Sequence, residues 1–501
     1  MLVMLGAAAI ALTLVAHLVF LTVYPPVFID ESWSANATWN WLRTGVNFDA
    51  MHAGTLDQFG YEWMTRYFLG QLPWYVAFGA LGLGLFQARL VSWLFGVALA
   101  LLTVIVGRRL FGTLAGVLAG LLLSLSMPFA QASHFARQDI MLAVVMLLAF
   151  GVAWFALEKE RAWAHLLAGL LVSVSLDIHQ NAIQFALALA ALYLVHYGKN
   201  VYRKRGTWLA GVGGALGVAA FVVFRILPSP ETYFKLWGVY LGSEHELPLL
   251  NLGGLLNSAI GELGRYRFYD NGLDFALIGA SIVYLAVRRT SSDQRLLAFA
   301  GAAGLGSVLL VGNKSPLYGV LLYPYLMLMV ASTFVCLIST AQRLSRQQIF
   351  LGALLALFLG NSAVHLARPI YLHRSYDYYA ITEWIETVIP PGARVMGLPT
   401  WWLGLADHDY RSSLNLTFYQ HFNGYSLSEA LEAVRPDIII FDGALAGLLV
   451  GEGETLAGGQ ELYQLPREAF LAFLEQRGDK LLDFTDPWHG HFEIYAIRWE
   501  S

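Results

Sequence analysis

Of 501 residues, 57% are hydrophobic and only 13% are charged, against roughly 25% charged in an ordinary soluble domain. This is the composition of a polytopic membrane protein. A formal net charge of −4 excludes the basic face that nucleic-acid binding needs. The one cysteine, Cys336, lies in an apolar run and excludes a disulfide framework or a cysteine-based metal site.

The first apolar run, Leu2 to Val23, is long enough to span a bilayer and has neither a basic flank nor a small-residue cleavage signal. It is expected to be a retained helix. Asp30 and Glu31 stand side by side where the chain leaves it, at the head of the aromatic-rich stretch FIDESWSANATWNWLRTG, which suits a helix lying flat at the interface. Hydropathy then predicts about eleven spans, near 3–24, 89–107, 113–129, 139–157, 163–177, 182–197, 208–227, 272–288, 295–312, 317–339 and 348–367. Basic residues alternate by connection: Arg108 and Arg109, Lys159 and Arg161, Lys199 with Arg203 to Arg205, Arg288 and Arg289 with Arg295, and Arg343 and Arg346. Because basic loops stay cytoplasmic, the N-terminus is placed inside. Asp30, the segments 25–88 and 228–271, and everything after about 368 are placed outside.

The division expected is a transmembrane catalytic domain over 1–368, including the outer segment 25–88, and an extracytoplasmic α/β domain over 369–501. In the second, YYAITEWIETVI, SLSEALEAV and REAFLAFLEQRG read as helices, and ARVMGL, DIIIFDG, KLLDF and HFEIYAIRW as strands, on apolar periodicity. The tail carries no phosphate-binding loop, dinucleotide fingerprint or nucleophile elbow.

Asp30, Glu31, His134, Arg137, Asp139, Asp177, His179 and Lys314 all fall near the outer ends of spans. Charges at a bilayer boundary are costly, so a cluster on one leaflet lines a wet cavity. The bland reading, snorkelling into headgroups, suits Asp177 and His134 taken singly. It suits the Asp30–Glu31 pair and Arg137-Gln-Asp139 less well. Arg265 and Arg267, in GRYRFYD, read either as phosphate ligands or as interfacial anchors beside Tyr266 and Tyr269.

A first span ending in Asp-Glu, an outer segment with flat-lying helices, then FQARLVSWLFGVALALLTVIVGRRLFG and SMPFAQASHFARQDIMLAVVMLLAF together resemble the GT-C glycosyltransferases that use polyprenyl-phosphate sugars. The nearest branch holds the protein O-mannosyltransferases and the aminoarabinose transferases of lipid A. The likeness is good over the first 200 residues and looser beyond. Where many relatives carry a His-Pro-Pro-like element before span two, this chain has Gly70-Gln71-Leu72-Pro73-Trp74-Tyr75. The resemblance implies inverting transfer from a polyprenyl monophosphate donor at the outer face, with a protein, lipid or glycan acceptor in a multi-pass cell-membrane enzyme.

The chemistry asks for few groups. A base must take the acceptor proton, while the leaving phosphate is already a stable anion that needs cations rather than an acid. Asp30 is the expected base, and Glu31 a neighbour that holds the acceptor or tunes Asp30. Asp139 orients sugar hydroxyls or joins Asp30 around a divalent metal, which is compatible with the residues but not required. Arg137 is the expected phosphate ligand because a guanidinium grips phosphate bidentately. Lys314 is second, in GNKSPLYG, and His179 and Gln180 complete the pocket. A lipid-linked sugar flippase or transporter is the alternative class, but it predicts an internal repeat or charges at the midplane of several helices. The sequence shows neither.

Overall fold

The computed structural model describes all residues except 56–67, 232, 235–247, 251, 268–270, 313, 341–345, 452–462 and 500–501. The side chain of Arg267 also lies outside the described residues. The chain divides into two compact units, one of Met1–Leu21, Leu90–Pro230 and His245–Leu372, the other of Thr22–Arg89, Glu231–Glu244 and His373–Ser501.

The first unit is helical. A helix lies in each of the eleven segments expected to span. Among the described residues six are long and apolar enough to cross alone, or seven if one bent pair is counted as a span. The bent pair is the segment expected as a straight span over 113–129. Thr113–Ser124 and Met127–His134 meet at 64°. Ser126 caps a new helix through Phe129 N–H, with Pro128 in its first turn, so the sequence restarts the helix instead of continuing it. Ala162–Val174 and Arg205–Phe221 pack most closely, because Gly169 and Gly213 face the partner backbone with no room for a Cβ. Small residues that let backbones approach are the usual adhesive between helices in lipid.

The second unit holds the sheet. Strands β1 (Arg394–Gly397), β2 (Asp409–Ser412), β3 (Ile438–Phe441), β6 (Gly478–Asp486) and β7 (Gly490–Ile497) are ordered β2-β1-β3-β7-β6. β4 (Leu449–Val450) and β5 (Leu465–Pro466) form a small parallel pair apart from it. β1 lies parallel to β2 and β3, while β3, β7 and β6 run antiparallel, with Val395 opposite Ile438 and Ile439 opposite Tyr495. The helices Leu427–Val434 and Arg467–Arg477 bury Leu431 and Leu474 against Met396 and Ile439. Every helix and strand read from the tail is present. Three strands were not read: the short β4 and β5, and β2, whose DYRS has no apolar run to announce it. Ile29 and Trp33 pack against the same core, so Ile29–Thr44 is anchored to the sheet by hydrophobic burial rather than by chain connection.

Candidate functional site

Ile29–Thr44 presents the acidic pair at its first turn, where carboxylates are favoured by unsatisfied N–H groups and the helix dipole. Asp30 is half-buried. Glu31 is not. It is fully buried, and Arg89, fully buried as well, grips it bidentately, with Nε to Oε1 and Nη2 to Oε2 both at 2.9 Å. Glu31 Oε2 also accepts the Phe28 N–H at 2.8 Å, satisfying a free donor at the helix start, and Arg89 Nη1 reaches the Pro25 carbonyl at 2.9 Å. Both oxygens of Glu31 are therefore engaged by the fold, a different use from the acceptor-holding expected of it. Arg89 was missed, although it sits in the FQARLVSW segment that carried the family resemblance. Nearby, Gln71 accepts from Asn47 at 2.6 Å and Trp74 donates to the Ala88 carbonyl at 2.8 Å, so the Gly70–Tyr75 element serves packing within this unit.

A second set assembles within the helical unit. Arg137, 8% exposed, donates from Nε to Asp139 Oδ2 at 2.8 Å. Burial works against its charge, but Asp139 and Tyr318 outweigh that and raise its pKa. Asp139 opens the helix Asp139–Lys159, and its Oδ1 is buried without a hydrogen bond, 3.9 Å from His179 Nε2. His179 Nδ1 accepts the Asn181 N–H at 3.1 Å. In the neutral ring the proton therefore sits on Nε2, facing Asp139. A metal would need that same nitrogen bare, so His179 is fitted as a hydrogen-bond donor and not as a ligand.

Tyr318, in the turn Pro316–Leu321, is the hub. The Arg137 guanidinium lies 6.0 Å and the Arg265 guanidinium 5.9 Å from its ring centroid, with the His179 ring edge-on at 5.2 Å. Arg265 is 3% exposed and bonds Glu262 through Nη1 at 3.1 Å, while its Nε and Nη2 have no hydrogen-bond partner among the described residues. This is not the interfacial anchor that remained open for it. Glu262 also accepts from Ser307 at 2.7 Å and pairs with Lys314 Nζ at 3.4 Å. Lys314 donates to the Ser307 carbonyl at 2.6 Å. Its ammonium is lowered to about 8, by burial first and by Arg265, against the pull of Glu262. Three cations against two carboxylates leave one positive charge in this buried cluster.

Gln180 is half-buried at the start of a short turn, with no hydrogen-bond partner among the described residues. Asp177 and His134 do not snorkel. Asp177 pairs with Arg225 at 2.5 Å, and His134, fully buried, shares a 2.9 Å hydrogen bond with His17. Sequence reading missed Tyr318 and Glu262. The first lies in the same GNKSPLYG turn as Lys314, and the second is one helical turn before Arg265. Among the described residues one trio has metal-ligand spacing, Asp483, His491 and Glu493, but Lys480 already neutralises its carboxylates on an exposed hairpin.

Residues 72–224 match the family model of dolichyl-phosphate-mannose-protein mannosyltransferase. No curated protein matches the chain. Among solved structures, the fold resembles ArnT from Cupriavidus metallidurans bound to undecaprenyl phosphate, at 16% identity and a TM-score of 0.58, covering 98% of this chain and 97% of that one. It also resembles the Archaeoglobus fulgidus oligosaccharyltransferase in complex with zinc and sulfate, at 12% identity and 0.58, covering 97% and 73%. The archaeal oligosaccharyltransferase AglB from the same organism, with an inhibitory peptide and a dolichol-phosphate, is similar at 12% identity and 0.55, covering 98% and 74%. The fold is thus the GT-C fold over nearly the whole chain. Family match and fold together indicate a membrane glycosyltransferase.

Proposed function

We propose that the chain transfers a sugar from a polyprenyl-phosphate donor to an acceptor hydroxyl at the extracytoplasmic face, with inversion. The observation that carries this reading is the pair of buried guanidinium groups flanking Tyr318, with Arg265 Nε and Nη2 left without partners. A buried, unpaired donor is costly unless a ligand completes it, and two guanidinium forks with one surplus positive charge suit a phosphate. A cavity of about 500 Å³ shares Glu262 with this cluster and is lined mainly by apolar groups such as Leu263, Ile278, Ile282, Leu305 and Leu326, with Glu262, Asn271 and Asp274 its acidic and amide lining. An isoprenoid chain suits such a wall. ArnT and AglB, whose structures hold undecaprenyl phosphate and dolichol-phosphate, support the donor class by analogy.

In this reading Arg137, Arg265 and Lys314 hold the phosphate, with Arg267 a further cation on the same helix, and His179 and Gln180 add hydrogen bonds. Asp30 removes the acceptor proton as the anomeric carbon leaves the phosphate for the acceptor oxygen. The electron pair of the broken bond stays on phosphate, where the cations stabilise it more strongly as the bond breaks. Glu31 positions Asp30 by fixing the helix that carries it. Asp139 Oδ1, buried and without a hydrogen bond among the described residues, is the group that would hold a divalent ion.

The test is Asp30→Asn. Removing a general base lowers rate by about 10² to 10⁴, so purified Asp30→Asn protein is expected to bind polyprenyl phosphate as the parent does and to lose most transfer. Parental turnover by the folded variant would remove Asp30 from the mechanism.

A further inference from the structure

Within the second unit, the helix that carries Asp30 ends beside a pocket that the transfer chemistry does not use. Asn36, Trp39, Asn40 and Arg43 recur at helical spacing along one stripe of Ile29–Thr44, and they line a cavity of about 370 Å³ closed by Trp402 and Asp409 from the sheet side. Its size falls in the roughly 300–1,000 Å³ range of small-ligand sites.

The lining is unusual for a structural crevice. Neither Trp39 nor Trp402 donates its indole N–H to an acceptor among the described residues. Asn40 donates to the Val46 carbonyl at 3.1 Å, which leaves its side-chain oxygen open. Asp409 is held flat by Arg394 at 2.8 Å and by Arg411 at 3.0 Å, so its carboxylate is fixed in place and neutralised. Arg43 stacks toward the Trp39 ring at 5.9 Å, and no carboxylate among the described residues pairs with it. Indole faces accept the apolar C–H face of a pyranose, while planar amide, carboxylate and guanidinium groups bond its vicinal hydroxyls two at a time. With Asp409 neutralised, Arg43 gives the rim a positive charge that no described carboxylate answers.

We infer that this pocket binds a saccharide, and specifically an acidic sugar whose carboxylate meets Arg43. The ring lies against Trp39 and Trp402 and its hydroxyls face Asn36, Asn40 and Asp409. The inference rests on the pocket alone and not on the transfer reaction. If transfer occurs as proposed, the pocket is where a glycan-bearing acceptor is gripped away from the reacting hydroxyl.

The experiment is ligand-observed saturation-transfer NMR on the full chain in detergent, titrated with methyl glucuronide and, separately, methyl glucoside. The parent protein is expected to bind the glucuronide saturably and about tenfold more tightly than the glucoside, the ratio one charge-assisted hydrogen bond supplies. Arg43→Gln, at an exposed position, is expected to erase that preference and leave glucoside binding unchanged. Trp39→Ala is expected to weaken both sugars about tenfold. Asp30→Asn is expected to bind both as the parent does, which separates this site from the transfer reading. Absence of saturable binding with either sugar overturns the inference, as does binding that both pocket variants leave unchanged. Binding that favours the glucoside overturns the acidic assignment.

Discussion

Lys314 is where a single side chain sets a pH dependence. Its ammonium titrates near 8 because burial and Arg265 disfavour the charge more than Glu262 favours it. Below that pH the cluster carries one surplus positive charge, and above it none. Donor affinity is therefore expected to fall as pH rises through about 8. Lys314→Arg, charged throughout, is expected to flatten the profile, and titrating polyprenyl phosphate at several pH values measures it. Arg137 separates geometry from charge at the same site. Arg137→Ala is expected to weaken donor binding markedly, and Arg137→Lys to recover only part of it because the fork is lost. Unchanged affinity in folded Arg137→Ala would move the phosphate toward Arg265. These side chains were legible because each is a costly charge at a predicted span end. Tyr318 was not, because an aromatic residue at a membrane boundary is ordinary, and only the two guanidinium groups against its ring distinguish it.

The helix Ile29–Thr44 is fixed by three separate devices. Its N-terminus is closed by the Glu31 carboxylate on the Phe28 N–H, its C-terminus by Gly45 at φ 78°, and its first turn by the buried Glu31–Arg89 pair. Gly45 is needed there because the left-handed cap costs any side-chain-bearing residue strain. Removing one partner of a buried ion pair leaves the other charge without compensation, at about 3–5 kcal/mol. Arg89→Ala is thus expected to lower the thermal stability of detergent-purified protein sharply. Arg89→Ala with Glu31→Ala together is expected to cost less than the two separate losses combined. A helix here was legible from its aromatic pattern and acidic start. The Arg89 partner was not, since a pair 58 residues apart leaves no local signal in one sequence. β2 was hidden for a related reason, because a short strand supported on one edge by β1 needs no apolar run of its own.

Over the whole chain, the placement of a helix in each of eleven predicted segments follows from one constraint, that lipid tolerates only backbone satisfied within its own segment. Which side each connection faces is a separate question, and it rests on charge. Arg108, Arg109, Lys159, Arg161 and Arg203 to Arg205 fall on connections an odd number of spans away from those holding Arg137 and Lys314. The second group is also the one the fold removes from the positive-inside tally, because Arg137 is buried on Asp139 and Lys314 on Ser307 and Glu262. Cations held by internal partners at a boundary predicted to face outward are those a phosphate site would retain against the orienting rule. A reporter fused after Arg205 is accordingly expected to read cytoplasmic, and reporters fused near Asn313 or after residue 370 to read extracytoplasmic. Enzymatic reporters active on one side of the membrane, paired with the complementary reporter at each junction, measure this directly. A cytoplasmic reading after residue 370 would turn the sheet unit inward and take Asp30 with it, which is incompatible with transfer at the outer face.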